Sequence, residues 1–246
     1  MKSLSKYIFE TLAIFLGIIL SFSVDRCTRS NLEIEEIKKS VFTLIKEIDN
    51  NIIYCENHLI QLENMQKVNF IITSDLSNNL KKTKLIDLHD NYLFGHSYDI
   101  NGNLNYWNQE ENYNNIYQWM ITWWNTFSQE DIYFQSLINS GNLVLIDDHD
   151  VSREIEAVYT TRMNRVKVNL SLLKENSDKI RLWAEDKRNN SKSYVDREYV
   201  FNNLQDLELK NLLNDRNYFI GLRVMSLRNY IKSLRNLKNL IESKYK

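Results

Sequence analysis

The apolar run Tyr7–Val24 carries a single charge, Glu10, in 18 residues. As a helix it spans about 27 Å, close to the roughly 30 Å hydrocarbon core of a bilayer. The pattern predicts a membrane anchor over 1–29, with Lys2 and Lys6 before the run and Asp25, Arg26 and Arg29 after it. A charge inside the run and an arginine soon after it speak against a cleaved signal peptide. The flanking basic residues nearly balance, so the side of the membrane that holds the rest of the chain stays open. Two positions stand out inside the anchor, Glu10 and Gly17. Glu10 follows Lys6 by one turn. An i,i+4 ion pair near the headgroups is therefore the plain alternative to a functional intramembrane acid.

From residue 30 the apolar spacing becomes that of an amphipathic helix. Ile34, Ile37, Val41, Leu44, Ile48, Ile52, Cys55, Leu59 and Leu62 recur in steps of three and four. One inserted step of four interrupts a strict heptad. This predicts a stalk helix over 30–68, continuous with the anchor. Its stripe suits packing inside the chain's own bundle, or a coiled coil with a second copy or another protein.

The remainder, 69–246, reads as a helical domain. Ser74–Asn79 is a break, and Gly95–Asn105 reads as a loop. Aromatics crowd the segment 106–134, where Ile116, Met120, Trp123 and Phe127 fall at helical spacing. Two readings fit: a core helix, or a ligand pocket drawing on Trp107, Tyr117, Trp123 and Trp124. Ser128-Gln-Glu-Asp131 has the form of a capping box opening a helix that runs to Ile138. Ser140-Gly-Asn142 then supplies a left-handed turn at Gly141. Asp147 or Asp148 caps a long helix over about 148–187. A short helix near Phe201–Leu213 and a last helix over about 218–246 follow. The expected fold is mainly α: a transmembrane helix continuing into a stalk, packed with an antiparallel bundle.

Composition sharpens this picture in two ways. The chain has 246 residues with no proline and five glycines, so little interrupts its periodic stretches and no glycine-rich phosphate loop exists. Thirty-one basic against 32 acidic side chains leave a formal net charge of −1. Nucleic acid is therefore not an expected partner. The local exception is the last helix, where Arg228, Lys232 and Arg235 share a basic face. That face would meet lipid or a polyanion, or pair with the acidic stalk. Cys27 and Cys55 lie about 40 Å apart along one helix, too far for a disulfide.

Candidate chemistry is sparse. No His-Glu-x-x-His, Cys-x-x-Cys or Gly-x-Ser-x-Gly arrangement occurs, so no catalytic residue and no cofactor are assigned. Asp99, Asn101, Asn103 and Glu110 occupy positions 1, 3, 5 and 12 of a calcium loop. Leu104 stands at position 6, where the sharp-turn glycine belongs. Asp87-Leu-His-Asp90 and Asp147-Asp-His-Asp150 superficially resemble ligand clusters; the second reads as helix N-cap chemistry.

Two stretches carry a resemblance. The anchor pattern Glu10-x6-Gly17-Ile-Ile-Leu is one. Tyr133-Phe-Gln-Ser-Leu-Ile-Asn-Ser-Gly-Asn-Leu-Val-Leu-Ile-Asp147, with the helix Val151–Tyr159 after it, is the other. Both resemble an uncharacterised bacterial family of single-anchor inner-membrane proteins, a domain of unknown function. Members often carry a tryptophan after the anchor, where this chain has Arg26 and Cys27. The resemblance implies an uncleaved inner-membrane anchor and brings no activity with it. The expected function is a non-enzymatic, single-pass membrane-anchored scaffold, sensor or assembly subunit. Its partners would be membrane lipid and another protein or second copy along the stalk. Two alternatives are a ligand- or ion-binding sensor centred on the aromatic segment, and an effector subunit whose basic C-terminal helix touches lipid or nucleic acid.

Overall fold

The computed structural model describes residues 2–74, 82–101, 103–106, 121–191 and 206–245. Within these, most side chains of 2–33, those of 82–86 and that of Tyr98 lie outside the description. The chain is mainly helical. Helix α1 (Lys2–Ser74) runs unbroken for 73 residues, with no proline and a single glycine, Gly17, to interrupt it. After it come α2 (Lys82–Asn91), a two-stranded antiparallel ribbon of β1 (His96–Tyr98) and β2 (Leu104–Tyr106), and α3 (Ile132–Asn139). A 3-10 turn (Asn142–Leu145), α4 (His149–Ala157), α5 (Met163–Asn189) and α6 (Leu207–Tyr245) complete the order.

Helices α4 and α5 are continuous through one π turn, Val158–Arg162. The wider turn rotates the buried stripe so that Val158 and Tyr159 both face inward. Tyr159 stacks on Phe134 of α3 with ring centroids 4.6 Å apart, tying the short helix to the bundle. Gly141, at φ +74°, reverses the chain before the 3-10 turn. Asp148 accepts from the backbone N–H groups of Asp150 and Val151 and caps α4.

Three long helices make the core. Helix α6 runs antiparallel to α1: Asn69 donates to the Leu213 carbonyl near one end, and Lys238 pairs with Asp49 at 2.7 Å towards the other. It is also antiparallel to α5, whose Asn176 and Asn169 donate to the Leu212 and Leu222 carbonyls. Val41, Leu44, Ile48, Cys55 and Leu62 of α1 are fully buried, as are Ile220, Leu227, Leu234 and Ile241 of α6. The predicted stripe is thus spent inside the chain's own bundle from Ile37 onward, while Ile34 stays exposed.

The structure differs from the sequence expectations at several elements. The stalk is no separate unit: α1 continues past 68 to Ser74. The segment read as a loop holds paired strands instead, His96–Tyr98 against Leu104–Tyr106. The two C-terminal helices merge into α6, whose first N–H groups, on Glu208 and Leu209, bond to the Asp206 carboxylate. Trp123 to Asp131 belongs to no helix, and Asp131 makes no side-chain cap bond, so Ser128 and Asp131 form no capping box. Helix α3 starts at Ile132, and a carboxylate from α1 serves it instead: Tyr133 donates its N–H to Glu47 at 2.6 Å. Among the described residues no helix is long and apolar enough to cross a membrane. The backbone of 7–24 belongs to α1, whereas the Glu10 side chain and the surroundings of Gly17 lie outside the description.

Candidate functional site

The extended segment 123–131 is a strap laid along α1, running antiparallel to it. A segment packed on a helix must find partners for the backbone polar groups that it takes out of water. Here polar side chains of α1 supply them at helical spacing. Gln61 accepts from the Asn125 side chain. Tyr54 accepts from the Ser128 N–H at 3.0 Å. Asn51 grips Glu130 twice, donating to its carbonyl at 2.7 Å and accepting from its N–H at 2.9 Å. Glu47 completes the row at Tyr133. Between rungs the strap buries Phe127 against Tyr54, His58 and Tyr230.

On its other side the strap meets α6. Arg216 and Arg223 stand two turns apart and are fully buried. Arg223 donates to the Asn125 carbonyl and to His58 Nε2, each at 2.7 Å. Arg216 donates to the Trp123 carbonyl, to Ser177 Oγ at 2.8 Å and to the Met65 sulfur. Carbonyls two residues apart on an extended chain point the same way, which is why residues 123 and 125 serve the two guanidiniums. No carboxylate among the described residues pairs with either arginine. Arg216 Nε, Arg223 Nε and one terminal nitrogen of Arg223 have no partner. Burial pulls Arg216 down to about 9 and Arg223 to about 10, so both stay cationic at neutral pH.

A cavity of about 390 Å³ opens beside the strap, lined by Tyr54, His58, His96, Trp123, Trp124, Asn125, Thr126 and Arg181. That volume suits a small organic molecule. The ribbon brings His96 edge-on to Trp123 at 5.7 Å, and Lys174 lies over the Trp124 ring at 5.3 Å. Burial, reinforced by Arg223 and His96, pushes the His58 imidazole down to about 3. It is therefore neutral, and its Nε2 lone pair is taken by Arg223. Burial also pushes the Cys55 thiol up to about 12, which leaves no thiolate to react.

The histidines make the fold acid-sensitive. His58, His89 and His96 all have their ordinary values lowered by burial. The folded chain holds them neutral where the unfolded chain takes up protons below about 6.5. Stability is therefore complete above that value and is lost as pH falls below it. His58 alone is expected to cost about 2 kcal/mol at pH 5. Glu47, whose carboxyl burial raises, works in the opposite direction at lower pH. Urea midpoints measured from pH 8 to 5 should fall steadily, and a flat profile would contradict the neutral burial of these rings.

Of the sequence candidates, Trp123 and Trp124 do line the cavity, while Trp107 and Tyr117 lie outside the described residues. The calcium-loop candidates are used otherwise. Asp99 accepts from the backbone N–H groups of Asn101 and Asn103 and from the Asn103 side chain, closing the turn between β1 and β2. Glu110 lies outside the described residues, and among those described no three His, Cys, Asp or Glu gather as a metal would need. The basic face is largely paired: Arg228 with Glu63 and Arg235 with Glu56, leaving Lys232 exposed. His58, Asn51, Arg216 and Arg223 are the site residues that the sequence reading missed. The signal lay in α6, where Arg216 and Arg223 interrupt a three-four apolar series through Leu209, Leu213, Ile220 and Leu227. The chain matches no protein-family model, no curated protein and no solved structure.

Proposed function

We propose that this chain is a non-enzymatic, single-pass sensor of the cell inner membrane that binds a small molecule in the cavity beside the strap. The observation that carries the reading is the row of bonds from Asn51, Tyr54 and Gln61 to the strap, continued by Glu47 to the start of α3. The strap walls the cavity through Trp123, Trp124, Asn125 and Thr126, so a ligand that moves it acts on α1. The N-terminal part of that helix is the apolar run 7–24, which supports an anchor, as does the resemblance of residues 133–147 to single-anchor inner-membrane proteins. A neutral His58 already bonded to Arg223 and an inert Cys55 favour sensing over catalysis.

A protein partner along α1 is a second reading. Phe42, Ile53 and Ile60 lie on one outer face of that helix and are about half exposed, unlike the stripe consumed in the core.

Two measurements test the main reading. The chain should stay with native membranes through alkaline carbonate extraction; release would remove the anchor. The purified chain in detergent should show a saturable change in tryptophan emission and thermal midpoint with at least one member of a metabolite panel. Unchanged emission and midpoint throughout would remove the sensor.

A further inference from the structure

We propose that the ligand taken by this cavity is a small oxyanion, a carboxylate or a phosphate, held by the guanidinium of Arg223. The inference rests on the sensor reading and names its ligand class.

Arg223 lies one hydrogen bond behind the cavity wall. Its two contacts, His58 Nε2 and the Asn125 carbonyl, belong to residues that line the cavity. Its Nε and second terminal nitrogen are fully buried and unpartnered. A guanidinium presents its donors as a flat fork that matches a carboxylate or phosphate edge. Two donor nitrogens are idle here, each able to bond one oxygen singly, since both paired edges of the group include the terminal nitrogen already bonded to His58 and Asn125. The charge around them is one-sided as well. Arg216 sits two turns along the same helix, about 10 Å away along the axis, while Arg181, which lines the cavity, is paired with Asp178 at 2.8 Å. No carboxylate among the described residues answers either buried arginine. Nearby His58 and Asn125 are neutral and bring no negative charge. Burying a cation without a counter-ion is costly, and apolar residues in the same seam positions would avoid the cost. An oxyanion entering past Asn125 would supply the missing charge. Asn125 is the strap's inward polar residue, and its side chain bonds only to Gln61, so the wall that must yield is also the rung nearest α1. Trp123, Trp124 and Tyr54 would flank an apolar or aromatic body on the ligand.

The test uses the full chain in detergent and reads tryptophan emission and the thermal midpoint. The probes are inorganic phosphate, benzoate and its neutral counterpart benzamide. Phosphate or benzoate should give a saturable shift in the millimolar range, and which of them does separates a phosphate ligand from a carboxylate. The Arg223→Met change should weaken that binding at least about tenfold. Arg223→Gln, which keeps a hydrogen-bonding end and loses the charge, should do the same and serves if the methionine variant does not fold. Arg228→Met, at an exposed pair with Glu63, should leave binding unchanged. Equal shifts with benzamide and benzoate would overturn the oxyanion inference while leaving a ligand-binding cavity. Undiminished anion binding in both Arg223 variants would overturn it too. A response to neutral panel compounds but to neither anion would sink this inference alone, and silence towards every compound would sink the sensor reading with it.

Discussion

Leu62→Ala in the full chain is expected to lower stability by about 2–5 kcal/mol, read as a urea midpoint in detergent. Leu62 is fully buried midway along the part of α1 that faces α6, next to the Glu63–Arg228 pair between the two helices. Truncation removes its transfer free energy and leaves a void that two long, straight helices close poorly. The magnitude decides between two architectures. A free-standing stalk, or one buried only against a second copy, would lose little in the dilute monomer, within about 0.5 kcal/mol of the parent. A bundle helix loses the full amount at any protein concentration. A small or concentration-dependent loss would contradict the three-helix core.

Asn51→Leu is expected to cost about 1–3 kcal/mol and to free the strap. The two side chains are close in size, so no large cavity follows. What is lost is the double bond to Glu130, leaving one N–H and one carbonyl without their partner. A fully buried orphaned group costs about 1–3 kcal/mol, and these part-buried ones cost less. Both bonds are part-buried and Glu130 itself is exposed, so water reaches these groups most fully as the strap lifts. Part of the cost is therefore expected as local opening, with new proteolytic cleavage within 123–131 while the helices persist. Global unfolding without prior cleavage of the strap would show that the strap is not a separable element.

The two residues differ in how visible they are from sequence. Leu62 belongs to a three-four apolar series, and that period is enough to place it inward. Asn51 is polar, between core positions Ile48 and Ile52, and periodicity assigns it to the outside. Its role depends on a chain segment some 80 residues later that arrives extended. That arrival was hidden by the strap's own composition: Ile116, Met120, Trp123 and Phe127 keep helical spacing, yet 123–131 is held straight because side chains of α1 satisfy its backbone. Local propensity lost to a tertiary partner there. The same holds for α3, where Glu47 replaced the cap that Ser128 and Asp131 suggested. Gly141 and Asp148 were readable because a left-handed turn and an N-cap are set by the residues themselves. Arg216 and Arg223 fell between the two cases. Their three-four spacing with Leu209, Leu213, Ile220 and Leu227 is present in the sequence, but a full charge at such a position argues for solvent. Only the packing of α6 against α1 and α5 shows them buried. The cavity could not be read in advance, because the ribbon, α1, α5 and the strap meet there from four separate stretches of chain.

The central claim is that the strap is clamped between α1 and α6, closing the cavity in front of the buried arginines. Amide hydrogen exchange in the full-length protein tests it most directly. The N–H groups of Ser128, Glu130 and Tyr133 donate to Tyr54, Asn51 and Glu47, although Ser128 and Glu130 belong to no helix or strand. The account predicts protection there approaching that of the α1 core, and loss of protection at Glu130 in the Asn51→Leu chain. Exchange at these amides as fast as in an unstructured peptide, with α1 and α6 still protected, would contradict it.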